Sequence, residues 1–280
     1  MMKSTVAIFF LMLTFLSASY AQQESHYLEI VKTESQLSVL FNQLYDMDNQ
    51  IDKDKLYVLI DSLFMYGLEQ AGSFDYSWSK LDMIGKLKSD DGIVKVYSWL
   101  YMKTRDEYKY TCYMQVRNRK GKADIFKLSP GNEVNIEHED YRQKLDDWHA
   151  KIYYQVITSK YMRKTFYTLL GADFNTAISS IKTIEVMAIQ RGKPVFRGDQ
   201  FFQGGEVKNR LVFEYSSEIT MSLRYNPQLG QIVFDHLTPL HPLYVGSYQF
   251  YGPDGSYDGL NFIEGIWVYE EDVDARNMSF

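Results

Sequence analysis

Val94-Lys95-Val96-Tyr97-Ser98-Trp99-Leu100-Tyr101-Met102-Lys103 alternates residue by residue along its length. Val94, Val96, Ser98, Leu100 and Met102 fall on one face of an extended chain, and Lys95, Tyr97, Trp99, Tyr101 and Lys103 on the other, the period-two pattern of a β-strand. Arg105-Asp106-Glu107 is turn chemistry. Tyr108, Tyr110, Cys112, Met114 and Val116 then alternate with Lys109, Thr111, Tyr113 and Gln115 on the way back, before a second turn at Asn118-Arg119-Lys120-Gly121. Alternating runs joined by short polar turns make a β-meander.

Upstream of Gly92 the apolar spacing is helical. Leu37, Leu40, Phe41 and Leu44 recur at intervals of three and four, as do Leu56, Leu59, Ile60 and Leu63. Asp52 is the expected N-cap of the second helix, with Asp54 in its first turn. Ser79 and Asp82 have the spacing of a capping box before a third helix carrying Leu81, Ile84 and Leu87. Downstream, His138 to His149 reads as one more helix, with Tyr141, Leu145 and Trp148 on a face. Strand-like runs then follow at Ile152–Ile157, Thr165–Leu170, Ile181–Ile189, Leu211–Tyr215, Ile219–Tyr225, Ile232–Leu237, Tyr248–Tyr251 and Gly265–Tyr269. Their separators, among them Gly192-Lys193-Pro194, Gly204-Gly205, Asn226-Pro227 and Gly252-Pro253-Asp254-Gly255, are turn residues. Parallel crossovers need a dozen or more residues, so these short connections imply antiparallel pairing. The expected fold is α+β, with N-terminal helices packed on a large, curved antiparallel meander, half-barrel or sandwich-like.

The first residues carry a separate message. Lys3 precedes an apolar run from Val6 to Leu16, and Ser19 and Ala21 supply the small side chains a signal peptidase requires. A membrane-spanning helix needs about 20 apolar residues, which this run lacks, and no later stretch supplies. The expected division is a signal peptide over 1–21, a helical section over 22–92 and a β-rich section over 93–280 continuous with it. The protein is then exported, to periplasm, envelope or medium, with no transmembrane span after processing.

Composition narrows the chemistry. The 280 residues are 45% hydrophobic and 24% charged, ordinary globular values, and 16% aromatic, a fraction that suits β-sheet. With 30 Lys+Arg against 36 Asp+Glu there is no basic surplus to neutralise phosphates, so nucleic acid is not an expected partner. Cys112, the single cysteine, permits no intrachain disulfide and reads as a small buried hydrophobe. There is no His-Glu-x-x-His, no Gly-x-Ser-x-Gly and no glycine-rich phosphate loop. His236 and His241 flank Pro239 without a fixed metal geometry.

Three weaker patterns remain. Asp254-Gly255-Ser256-Tyr257-Asp258-Gly259 matches the opening of a calcium loop through Asp254, Ser256 and Asp258, although the twelfth position is Gly265 where a bidentate acid belongs; a strand-connecting turn is the other reading. Calcium is the one cofactor this pattern admits. Glu214, Glu218 and Asp235, with Arg224 and His236 close by, offer carboxylates for acid–base work on strands expected to be neighbours. Tyr97, Trp99 and Tyr101 make an aromatic stripe able to stack a ligand, or to pack as a sheet face. The acidic run Glu270 to Asn277 reads as a solvated end.

Several phrases resemble, in combination, a family of uncharacterised exported bacterial proteins of unknown function: Arg163-Lys164-Thr165-Phe166-Tyr167-Thr168-Leu169-Leu170-Gly171, Lys182-Thr183-Ile184-Glu185-Val186, Met221-Ser222-Leu223-Arg224-Tyr225, Ile232-Val233-Phe234-Asp235-His236-Leu237 and Tyr251 to Gly259. The resemblance runs from about Ile93 to Asn277. It implies an exported, sheet-rich domain and supplies no activity or site residue. The expectation is a non-catalytic envelope protein binding a small molecule, glycan, lipid or protein partner. The alternative is a secreted hydrolase of glycans or peptides acting through paired carboxylates.

Overall fold

A computed structural model of the chain describes residues 2–104, 107–131 and 139–274, and their side chains from residue 24 onward. The chain divides into two compact units, Met1–Met83 and Ile84–Phe280.

The first unit is built on two helices, α1 (Met2–Asp46) and α2 (Gln50–Glu69). Ile30, Leu37, Phe41 and Leu44 of α1 and Leu56, Ile60, Phe64 and Leu68 of α2 are buried, one apolar stripe on each. The helices run antiparallel: His26 Nδ1 lies 3.1 Å from Gln70 Oε1, and Tyr66 Oη donates to Glu29. Asn49, not Asp52, caps α2, its Oδ1 accepting from the N–H groups of Ile51 and Asp52; Asp52 sits in the first turn, where the dipole favours an acid. The Trp78 indole packs against Phe64 and Tyr76, each 5.3 Å between ring centroids. It fits because residue 67 is glycine: a Cβ there would lie 2.6 Å from the indole. No helix among the described residues is long and apolar enough to cross a membrane.

The described residues of the second unit are strands, turns and two single-turn 3-10 helices. β1 (Gly85–Lys88), β2 (Val94–Thr104), β3 (Glu107–Arg117) and β4 (Ala123–Leu128) form a four-stranded antiparallel sheet in that order. β5 (Ile152–Tyr161), β6 (Lys164–Asp173) and β7 (Ser179–Gln190) begin a five-stranded sheet, which β8 (Lys193–Phe196) joins by pairing with β7. β9 (Phe201–Gln203) and β10 (Glu206–Lys208) make a small hairpin. β11 (Arg210–Ser216) returns to the five-stranded sheet on the far side of β7 from β6. β12 (Leu223–Asn226), β13 (Gln231–Pro239), β14 (Tyr251–Ile263) and β15 (Ile266–Glu270) complete a six-stranded sheet of order β10-β9-β15-β14-β13-β12. Among the described residues the named strands pair antiparallel except β15 with β9, and none of the three sheets closes on itself.

The five-stranded sheet is the middle layer. Phe166, Leu170, Ile184 and Val186 on one face share a core with Leu223, Ile232, Phe234, Leu260 and Trp267 of the six-stranded sheet. On the other face Tyr153, Tyr167, Leu169 and Met187 share a core with Val94, Val96, Cys112 and Met114 of the four-stranded sheet. A strand covered on both faces loses the apolar–polar alternation, which is why β6 is buried almost throughout. The α+β, sandwich-like expectation holds, with this extra layer.

Some local expectations fail. The third helix is absent. Leu87 is a strand residue opposite Val96, and β2 satisfies the backbone of 85–88, so the units divide at Met83/Ile84 and not at Gly92. Described residues 139–149 are not helical, because Ser129 N–H bonds Leu145 O and Trp148 N–H bonds Ser129 O in place of bonds four residues apart; His138 lies outside the described residues, as do Arg105-Asp106 and 275–277. Tyr248–Phe250 is a short 3-10 turn. Ile219 closes a turn onto Ser216, so the expected strand begins only at Leu223. Gly252-Pro253-Asp254-Gly255 is not a separator but part of β14. Asp235 pairs with Tyr257 and Leu237 with Pro253, so Asp254, Gly255 and Ser256 bulge opposite His236, and Gly255 takes φ 94°.

Candidate functional site

Among the described residues of the second unit, one buried cluster of ionisable groups was not singled out as a candidate site above. Glu185, on the face of β7 turned toward the four-stranded sheet, is 2% exposed. Register sets Arg210 of β11 directly beside it, and Lys151 arrives just ahead of β5. Lys151 Nζ lies 2.7 Å from Glu185 Oε1 and 3.2 Å from Thr183 Oγ1, and Arg210 Nη1 lies 3.7 Å from the same Glu185 oxygen. Tyr153 Oη and Gln143 Nε2 donate to the other oxygen at 2.8 and 3.1 Å. Lys151 crosses β6 at Gly171, where a Cβ would lie 2.6 Å from its Cδ. That approach requires glycine.

The network continues outward through His149, whose Nδ1 lies 3.3 Å from Arg210 Nη1. A guanidinium only donates, so Nδ1 is the unprotonated nitrogen, and Nε2–H donates to Asp173 Oδ2 at 3.0 Å. Asp173 also accepts from Tyr110 Oη at 2.7 Å and Asn175 N–H at 3.0 Å. The protonation states agree with this wiring. Burial, helped by the Lys151 charge, pushes His149 down to about 4. Burial likewise draws Lys151 down to about 8, against the pull of Glu185, leaving it charged at neutral pH. Burial pushes the Glu185 carboxyl up, but Lys151 and Arg210 together hold it below its usual range. Chemically this is a sealed, mutually satisfied charge network that fixes β5, β7 and β11 and the 143–149 loop in one arrangement.

The residues singled out from the sequence lie elsewhere and do not converge. Glu214 is on β11 of the middle sheet, with Asn175 Nδ2 at 3.5 Å, whereas Asp235 is on β13 of the six-stranded sheet, accepting from Ser222 N–H at 2.6 Å. They are not on neighbouring strands. Glu218 is exposed in the turn after β11, and Arg224 is on β12 opposite Val233. His236 pairs with Asp258, Nδ1 to Oδ2 at 2.7 Å, and Tyr269 Oη donates to the same oxygen. His241 caps a 3-10 turn by accepting from Leu243 N–H. Asp254, Ser256 and Asp258 lie along β14 and do not encircle a point: Asp254 accepts from Ser256 N–H and Oγ, and Asp258 is committed to His236. Among the described residues no three His, Cys, Asp or Glu side chains are grouped to hold a metal ion. Tyr97, Trp99 and Tyr101 are buried at 0–1% exposure, with Trp99 stacked on Tyr113 at 5.9 Å, so the stripe is core and not an open platform.

One of those residues does reach an open cleft. Glu214 and its neighbour Phe213 line a cavity of about 320 Å³ together with Gln203, Lys208, Glu139 and Tyr248. Lys208 Nζ is ion-paired with Glu139 and donates to Gln203 Oε1 at 2.9 Å, which holds these polar groups in place. Tyr248, at the exposed mouth, packs on Tyr251 at 5.0 Å. The fold therefore defines a three-layer β unit with a sealed charge network and a mostly polar surface cleft that carries two aromatic rings. No protein-family model, curated protein or solved structure matches the chain.

Proposed function

We propose that this chain is an exported envelope protein that binds a glycan without transforming it, in the cleft beside β11. The observation that carries this reading is the cleft's make-up, whose lining combines the rings of Phe213 and Tyr248 with the polar groups of Glu139, Gln203, Lys208 and Glu214. Sugar rings offer an apolar face to an aromatic side chain and hydroxyls to amides and carboxylates, and the volume falls in the range of about 300–1,000 Å³ typical of small-ligand pockets. The ionisable groups wired around Glu185 are buried and so closed to a ligand. The signal-like start of the chain supports export. Mature protein beginning at Gln22, recovered from its host and exposed to envelope glycan extract, is expected to retain a sugar-bearing species detectable by mass spectrometry, and Phe213→Ala and Tyr248→Ala to lose it. Recovery of the intact Met1 terminus from the cytosol, or identical retention by both variants, overturns the reading.

A second reading has its own support. Glu139 and Glu214 line the same cleft, so a secreted hydrolase of glycans would use these two carboxylates and not Glu214 with Asp235. Turnover of a glycan panel, abolished in Glu214→Gln with binding retained, would favour it.

A further inference from the structure

At the other end of the middle sheet two strands part company. β6 pairs with β7 only as far as Tyr167–Met187. Beyond that point β6 runs on against β5 to the pair Tyr161–Lys164, and β7 runs on against β8 to Gln190–Lys193. The gap between them is a cavity of about 470 Å³, walled by residues 163–167 and 188–190 and closed by Arg197. Phe166 and Ile189 supply apolar surface, and Arg163, Lys164 and Arg197 bring three positive charges with no carboxylate among the lining residues. None of the three makes an ion pair among the described residues, in a chain whose formal net charge is −6. Arg197 Nε is buried without a hydrogen-bond partner among the described residues. A buried donor left unsatisfied is costly, and a bound anion removes that cost.

We propose that this split between β6 and β7 binds a phosphate monoester. Two guanidiniums and an ammonium match a group carrying close to two negative charges at neutral pH better than a single carboxylate. The volume exceeds what a bare phosphate fills, and the Phe166 ring, on the face of the middle sheet shared with the six-stranded sheet, receives the organic part of the ester. No residue is shared with the glycan cleft, so the two proposals fail independently.

Calorimetry on the mature full-length chain with phenyl phosphate, inorganic phosphate and phenyl glucoside tests this. Phenyl phosphate is expected to bind saturably and be displaced by inorganic phosphate but not by the neutral glucoside, with affinity falling as salt rises. Arg197→Gln is expected to weaken it roughly tenfold or more, the loss of one charge-assisted bond. The double variant Arg163→Gln/Lys164→Gln alters exposed residues at the β5–β6 turn, leaves the fold intact, and should weaken binding at least as much. Arg119→Gln, exposed on the β3–β4 turn, should change nothing. Co-flotation with phosphatidylcholine vesicles containing phosphatidic acid, reversed by phenyl phosphate, would make a lipid headgroup the source of the ester; binding of the soluble probe alone would make it a free metabolite. Absence of binding to every probe and vesicle overturns the proposal, and so does binding that survives in both Arg197→Gln and the double variant.

Discussion

Glu185 stands between Ile184 and Val186 in a run that is otherwise apolar, and the fold answers it with two cations. Removing one member of a buried charge set leaves the others unpaired, which costs about 3–5 kcal/mol. Glu185→Gln keeps the shape and removes the charge, so guanidinium unfolding should show a loss of that size. Adding Lys151→Met to that variant should recover part of it, because one stranded cation disappears; a Glu185→Gln protein as stable as the parent would mean the network contributes nothing. A charge inside an apolar strand was the legible signal here. Its partners were not legible: Lys151 is 34 residues away, and only the β7–β11 register brings Arg210 alongside. The same ignorance of register paired Glu214 with Asp235, which the fold assigns to different sheets.

Among the elements, β2 and β3 announced themselves by alternation even though both faces are buried through much of their length, because the second face is built of Tyr, Trp, Lys and Thr and not of aliphatic residues; α1 and α2 did so by their three-and-four spacing. Short pieces such as β8, β9 and β10 carry too few residues for any period to show, and β14 hid behind Gly252-Pro253-Asp254-Gly255 because a bulge lets a strand accept turn residues. That bulge has a consequence for pH. It leaves His236 facing Asp258, whose hydrogen bond raises the imidazole above its ordinary value near 6.5. A raised native pKa means the folded state binds the proton more tightly than the unfolded chain does. The pair's stabilisation is therefore complete below about pH 6.5 and fades as pH rises through the raised value. His236 is 40% exposed on its side chain, so solvent limits the effect to about 1 kcal/mol or less. The melting temperature of His236→Gln should fall below the parent's at pH 5.5 and converge with it toward about pH 9. An equal gap at both ends would show that the proton is not involved.

At the scale of the whole β unit, three layers mean that the middle sheet has no solvent face along much of its length, and stability depends on two interfaces and not one. Cys112 reports on one of them. It lies on β3 opposite Leu128, fully buried in the core shared by the four-stranded and middle sheets. Burial and the Glu185 charge both push its thiol well above the ordinary value, so little thiolate forms even if reagent arrives. Labelling by a thiol reagent under native conditions should be at least about a thousandfold slower than in the urea-unfolded chain, because a fully buried group becomes accessible only through opening on the scale of global stability. The rate should climb with denaturant along the slope measured for loss of tertiary signal. Labelling that is fast and insensitive to denaturant would mean that the two sheets separate in a local motion, and the layers would then be docked plates and not one cooperative core.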